Sequence, residues 1–247
     1  MGRPPQPLLS REAIARAALE LLDTEGPDGL GMRRIAQQLG VRAPSLYNHV
    51  SGQDEIIDLV HDLIDREIDT ATLANPDWRQ GLDAFARSYR QAFLRHPHAI
   101  ALVARRPILN HATLNLYDSA AAALGRAGLP PADVMPVIAI LDYLVLGSTV
   151  ETFIGGFAAA PEEYRTRYPD LASALAATDR ATVDDDAFEL ALDLMLNDLE
   201  GRVSRSATGR SRKRRAASRM APARGDKRPE KPGSADDGSP RAVSGST

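Results

Sequence analysis

The chain has 247 residues, 43% of them hydrophobic, 5% aromatic and none of them cysteine. That length allows one or two domains, and the missing cysteine excludes disulfides and thiolate metal sites. The formal net charge of −3 conceals a division: residues 201–247 hold 13 Lys and Arg against 4 Asp and Glu, which leaves residues 1–200 at a net −12.

The start, MGRPPQPLLS, has no apolar stretch resembling a signal peptide. The greasiest run, VIAILDYLVL at 137–146, is interrupted by Asp142 and is too short to span a bilayer. A cytoplasmic, nucleoid-associated protein with no membrane partner is therefore expected. Ala, Leu and Arg are plentiful, which favours helices, and no strand-like alternation runs long enough to count.

Ser10 is placed to cap a first helix whose buried face is Ile14, Ala17, Ala18, Leu21 and Leu22. Gly26-Pro27-Asp28-Gly29 ends it by turn chemistry. Met32, Ile35, Ala36 and Leu39 recur at helical spacing in a second helix, with Arg33, Arg34, Gln37 and Gln38 opposite. Gly40 breaks that helix, and Pro44 sits where a first turn tolerates proline. The third helix buries Leu46 and Val50, and Ser51 with Asp54 three residues on predicts a cap for a fourth. The fourth carries Ile56, Ile57, Val60, Leu63, Ile64 and Ile68.

Asn75-Pro76-Asp77 punctuates the chain, and helices are expected from Trp78 to Arg95 and near 98–104, 111–127, 132–156, 161–177 and 185–200. The last carries Phe188, Leu192, Met195 and Leu199, widened by Ala187, Ala191 and Leu194. A stripe so broad predicts packing against two neighbours, one of them a second subunit. The segment 201–247 lacks Leu, Ile, Phe, Tyr and Trp. It cannot bury enough apolar surface to offset its ordering entropy, so it reads as a disordered basic tail. Its run RSRKRR at 210–215 is either a phosphate-binding stretch or a solubilising one.

A short helix, a tight turn at Gly40-Val41 and a second short helix make a helix-turn-helix. The second helix must be short and exposed at its front to enter a major groove about 12 Å wide. Ala43, Ser45, Tyr47, Asn48 and His49 lie on or near the surface it would present. Arg33 and Arg34 can reach phosphates or a guanine edge, Arg42 sits in the turn, and Arg3 on its proline-stiffened arm can touch a phosphate or the minor groove.

From about Leu8 to Ile64 the chain resembles the DNA-binding head of TetR-family transcriptional regulators. The marks are Ala17, Leu21, Gly26, Ile35-Ala36, Leu39-Gly40-Val41, Leu46-Tyr47-x-His49-Val50 and the apolar start of the fourth helix. The body resembles the effector and dimerisation domain of the tetracycline-repressor branch around RQAFLRHPHAIALVARRP (90–107) and LDYLVLGSTVE (141–151). The resemblance implies that Arg33, Ser45, Tyr47 and His49 contact DNA, and that Ala43 and Asn48 set specificity. The chain departs from the family where a lysine often opens the fourth helix and Gly52 or Gln53 stands here. With 6 basic against 5 acidic residues in 1–52, the head's electrostatic grip should be modest.

Metal–drug chemistry does not transfer from that branch: Ala99-Ile100-Ala101-Leu102-Val103 stands where a histidine serves the magnesium, although Glu151 matches an acidic position. His96-Pro97-His98 lacks further ligands at fixed spacing, so no metal is expected. Asp142 interrupts an apolar helix, where an unpaired carboxylate is costly. It is either paired with Arg105 or Arg106, or exposed at a seam, or a polar anchor in an effector pocket. Tyr89, Phe93, Arg106, Tyr143 and Phe153 would line that pocket by helical position, with ordinary core as the plain alternative for Tyr89, Phe93 and Phe153.

The expected architecture is all-α. A three-helix helix-turn-helix head (1–52) is joined by a long helix to a helical ligand-binding and dimerisation domain (53–200), followed by the basic tail (201–247). The expected function is a ligand-responsive repressor: a homodimer on a near-palindromic double-stranded operator, released by an apolar small molecule. The rival is a sequence-nonspecific architectural DNA binder driven by the tail. No nucleophile–base–orienter set, Gly-rich phosphate loop or HExxH pair is present, so neither enzyme nor cofactor is expected.

Overall fold

The computed structural model describes residues 9–103, 106–108, 110–149 and 153–220, with side chains up to Thr208. Arg3, Arg105, Glu151 and residues 221–247 lie outside it. The chain divides into Met1–Gly209 and Arg210–Thr247, and the packing below is that of the first unit. Every regular element among the described residues is helical, and none of those helices is long and apolar enough to cross a membrane.

Helix α1 (Arg11–Glu25) starts where the Ser10 hydroxyl accepts the Ala13 N–H at 3.1 Å, and it buries Ile14, Ala17, Ala18, Leu21 and Leu22. A 3-10 turn, Pro27–Leu30, leads to α2 (Met32–Gln38), which buries Ile35 and Ala36. Helix α3 spans Ala43–Leu46, with Leu46 and Val50 packed inward. Helix α4 (Gln53–Asp65) lays Ile56, Ile57, Val60 and Ile64 against α1.

The cap of α4 departs from expectation. The helix begins at Gln53, so Ser51 stands outside it and no side chain caps Gly52. Glu55, not Asp54, reaches back: its Oε2 accepts the Ser51 N–H at 2.6 Å and the Ser51 hydroxyl at 2.8 Å. Glu55 also pairs with Arg11, which donates to the His49 carbonyl at 3.3 Å. Glu55 and Arg11 together thus fix the segment that follows α3 to α4 and α1.

In the body, Asp77 caps α5 (Trp78–Arg95) by accepting the Arg79 and Gln80 N–H groups. A short α6 (Ile100–Val103) precedes α7 (His111–Ala127), α8 (Pro131–Gly147), α9 (Pro161–Tyr164), α10 (Pro169–Ala177) and α11 (Val183–Met220). The expected 132–156 helix stops at Gly147, and the Ser148 and Thr149 hydroxyls turn back onto Val145 O. The expected 161–177 helix is two pieces, because Pro169 starts a helix and cannot continue one.

Helix α11 runs antiparallel to α5: Arg90 meets Asp185 at 2.7 Å, Arg87 meets Glu189, and Arg79 meets Asn197 at 2.7 Å. Phe188, Leu192, Leu196 and Leu199 are its buried residues. Leu194, expected on that stripe, points away with Leu190. Residues 201–220, part of the expected tail, continue α11. Ala and Arg favour helix there, Asp198–Arg202 adds an i,i+4 pair, and no proline occurs before Pro222.

Candidate functional site

The turn between α2 and α3 is built on one backbone conformation. Gly40 has φ +67, and its N–H donates to Gln37 O at 3.1 Å while the Val41 N–H donates to Ala36 O at 2.9 Å. This pair of bonds is a Schellman motif. It satisfies carbonyls at the end of α2 and aims the chain into α3. Arg42 precedes α3 in extended conformation, and Pro44 occupies its first turn. Leu46 is fully buried, so the residues around it point out.

What points out is Arg42, Pro44, Tyr47 and Asn48, with Ala43, Ser45 and His49 half-buried. Tyr47 is 57% exposed. The side chains of Arg33, Arg42, Tyr47 and Asn48 have no hydrogen-bond or ion-pair partner among the described residues. Arg34 differs: it is paired with Glu25 and donates to Gln37 Oε1 at 3.3 Å. A surface that leaves an arginine fork, a phenol and an amide unengaged beside a four-residue helix suits a groove lined with acceptors and phosphates.

The body holds a second arrangement. Asp142 on α8 accepts the Tyr117 hydroxyl at 2.5 Å and the Tyr89 hydroxyl at 3.3 Å. Tyr89 packs on Phe93 at 5.5 Å between ring centres, and Phe93 meets the His61 ring edge-on at 6.4 Å. His61 Nε2 lies 3.5 Å from Asp65, whose other neighbour is the Thr113 hydroxyl. Burial pushes both carboxyls above their ordinary range. Tyr117 and Tyr89 oppose the rise at Asp142, and His61 and Thr113 oppose it at Asp65. Burial also lifts both phenols, and the Asp142 carboxylate adds to the rise. The interior of the body is thus polar where α4, α5, α7 and α8 meet.

Of the expected pocket residues, the structure brings Tyr89, Phe93 and Asp142 together and sends three elsewhere. Arg106 forks onto Asp58 at 2.5 and 3.1 Å and reaches Asp54 at 3.0 Å, tying the segment after α6 to α4. Asp142 takes tyrosines instead of that arginine. Tyr143 is 76% exposed, because one residue along a helix turns the side chain about 100° from Asp142. Phe153 is 72% exposed, lying in a 3-10 turn past the end of α8, where helical phase no longer applies. It stacks edge-on with Phe157 at 5.5 Å.

Sequence reasoning missed Tyr117, His61, Asp65 and Thr113. A signal for Asp65 existed: it lies four residues from His61 and eight from Ile57, on the apolar stripe of α4. His96, weighed for metal, is occupied by Asp23 and Glu67. No group of three or more potential ligands arranged to hold a metal occurs among the described residues.

A Schellman turn, an outward-facing short helix and a helical body define a helix-turn-helix DNA-binding regulator. Residues 14–60 match the model of bacterial regulatory proteins of the tetR family, and residues 72–203 match the tetracyclin repressor-like C-terminal domain. The chain belongs to the TetR family of transcriptional regulators. It is 36% identical over 177 residues to an HTH-type transcriptional regulator of Saccharopolyspora erythraea, covering 68% of this chain and 75% of that protein. The class A tetracycline repressor from transposon 1721 of Escherichia coli is 31% identical over 78% of this chain and 92% of its own. Among solved structures, the TetR family protein ActR of Streptomyces coelicolor in complex with actinorhodin superposes with a TM-score of 0.67 at 28% identity, over 78% of this chain and 96% of its own.

Proposed function

We propose that the protein is a ligand-responsive repressor that binds a near-palindromic operator as a homodimer and is released by an apolar small molecule. The observation that carries this reading is α3: Leu46 anchors it while Arg42, Tyr47 and Asn48 are exposed and without a side-chain partner among the described residues. Arg33, Ala43, Ser45 and His49 border that surface. Arg34 acts through its pair with Glu25, holding α2 in place. Two heads would read successive major grooves about 34–36 Å apart.

Dimerisation is supported by large apolar side chains left at the surface of two helices. Met135, Ile140 and Tyr143 of α8 and Leu190 and Leu194 of α11 are all exposed in the single chain. Large exposed apolar patches mark association sites. The effector would sit beside Tyr89, Phe93, Tyr117 and Asp142, with the carboxyl as its polar anchor. ActR was solved with actinorhodin, and a comparable occupant here would bias α4, which supplies both His61 of this cluster and the support of the head. A ligand moves such an equilibrium only by its difference in affinity for the two states. Coupling of about 1–3 kcal/mol gives a roughly 5–150-fold loss of operator affinity.

The dimer is tested by Leu190→Glu with Leu194→Glu in sedimentation velocity. The parent should sediment as two chains and the variant as one, with unchanged helical circular dichroism. A monomeric parent would contradict the reading. Nonspecific DNA binding through the tail remains the rival, since residues 201–220 hold eight basic and no acidic residues. Deleting 203–247 separates the two: a specific regulator keeps its sequence preference and loses only salt-sensitive affinity.

A further inference from the structure

Three elements meet at one half-buried histidine. His96 ends α5, its N–H donating to Phe93 O at 3.0 Å. Its Nδ1 lies 2.9 and 3.0 Å from the two carboxylate oxygens of Asp23 on α1. Its Nε2 lies 3.1 Å from Glu67, two residues past α4, and Arg95 holds Glu67 from the other side at 2.9 Å. One side chain thus bridges α1 of the head to the end of α4 and to α5 of the body.

A neutral imidazole has one N–H, and an ionised carboxylate only accepts. Both contacts are hydrogen bonds only when the ring is an imidazolium. The neutral ring would turn a lone pair toward one of the two carboxylates. The charged groups that contact the ring are Asp23 of α1 and Glu67 just past α4, Arg95 of α5 pairs with that Glu67, and Arg16, Glu20 and Arg66 line the adjoining groove with them. Arg16 is paired with Glu12 and Arg66 with Asp62, so neither stands in for the lost proton. An open groove of about 600 Å³ between α1 and α4 reaches Asp23 and Glu67 and gives solvent access for proton exchange.

We propose that His96 is a positioning residue: its protonated ring clasps Asp23 and Glu67 and fixes the angle of the head against the body, and loss of the proton releases the head. The consequence for DNA rests on the regulator reading; the clasp itself does not.

The test needs neither DNA nor effector. The chain has no cysteine, so Gln38→Cys on the head and Asp118→Cys on α7 accept two spin labels. Dilution with excess unlabelled chain leaves only distances within one protomer. Distances are read by double electron–electron resonance at about pH 5 and about pH 8, the limits between which histidine changes charge. The parent should show one narrow distance at the lower pH that broadens at the higher. His96→Ala should be broad at both. Glu67→Gln should stay narrow at both, because the new amide can donate to an unprotonated Nε2. A parent distribution that ignores pH, a parental pH response retained by His96→Ala, or a Glu67→Gln variant that broadens like the parent would overturn the proposal.

Discussion

Gly40→Ala isolates the turn on which the DNA-reading helix depends. Gly40 has φ +67, in the left-handed region, yet a Cβ built there meets nothing within 4 Å. The cost is therefore backbone strain alone, about 1–2 kcal/mol. Gly52 is the control: its φ of 164 is extended, and a Cβ there also meets nothing within 4 Å. Gly52→Ala should be neutral or stabilise by about 0.4–1 kcal/mol through a less flexible unfolded chain. In a unit of this size each kcal/mol moves the midpoint by about 2–4 °C. Gly40→Ala should thus lower Tm by roughly 2–8 °C in a thermal melt followed by circular dichroism, while Gly52→Ala leaves it level or slightly higher. Equal shifts at the two positions would refute the assignment of strain to Gly40.

Tyr47→Ala should leave helix content intact, since the ring is exposed and its hydroxyl has no partner among the described residues. It should weaken specific DNA binding by about 1.5–3 kcal/mol, the worth of a hydrogen bond to a charged group; an unchanged operator Kd would remove Tyr47 from the interface. Asp142→Asn should alter the pH dependence of stability. Because burial raises the folded-state pKa of Asp142 above its ordinary 3.8, the stability it contributes is present below that value and is lost as pH rises through the raised one. Melts at increasing pH, starting below that ordinary value, should show a flatter decline for the variant than for the parent, and parallel declines would place Asp142 in solvent.

The head was legible because each of its devices is local. Ser10 caps within three residues, Gly40 supplies a conformation that few other residues adopt, and Leu46 with Val50 repeats at helical spacing. The body was legible in the placing of its longer helices, but not in where α8 stops, not in the break that Pro169 makes between α9 and α10, and not in its partners. Asp142 could be flagged as costly, but which of its neighbours would meet it depended on the crossing of α5, α7 and α8. Two tyrosines from two of those helices took the place of the expected arginine. Helical phase also fails where helices stop, which is why Phe153 was misplaced. The Asp23–His96–Glu67 contact joins residues far apart in sequence, and no spacing rule brings them together.

The central claim is that α3 reads a duplex in concert with a second copy of itself. The most direct measurement is selection of the purified full chain on random double-stranded DNA, followed by sequencing of the bound pool. The account predicts a two-fold symmetric consensus whose half-sites lie one helical turn apart, about 34–36 Å between centres. A bound pool with no enriched sequence, or a single asymmetric site, would contradict it.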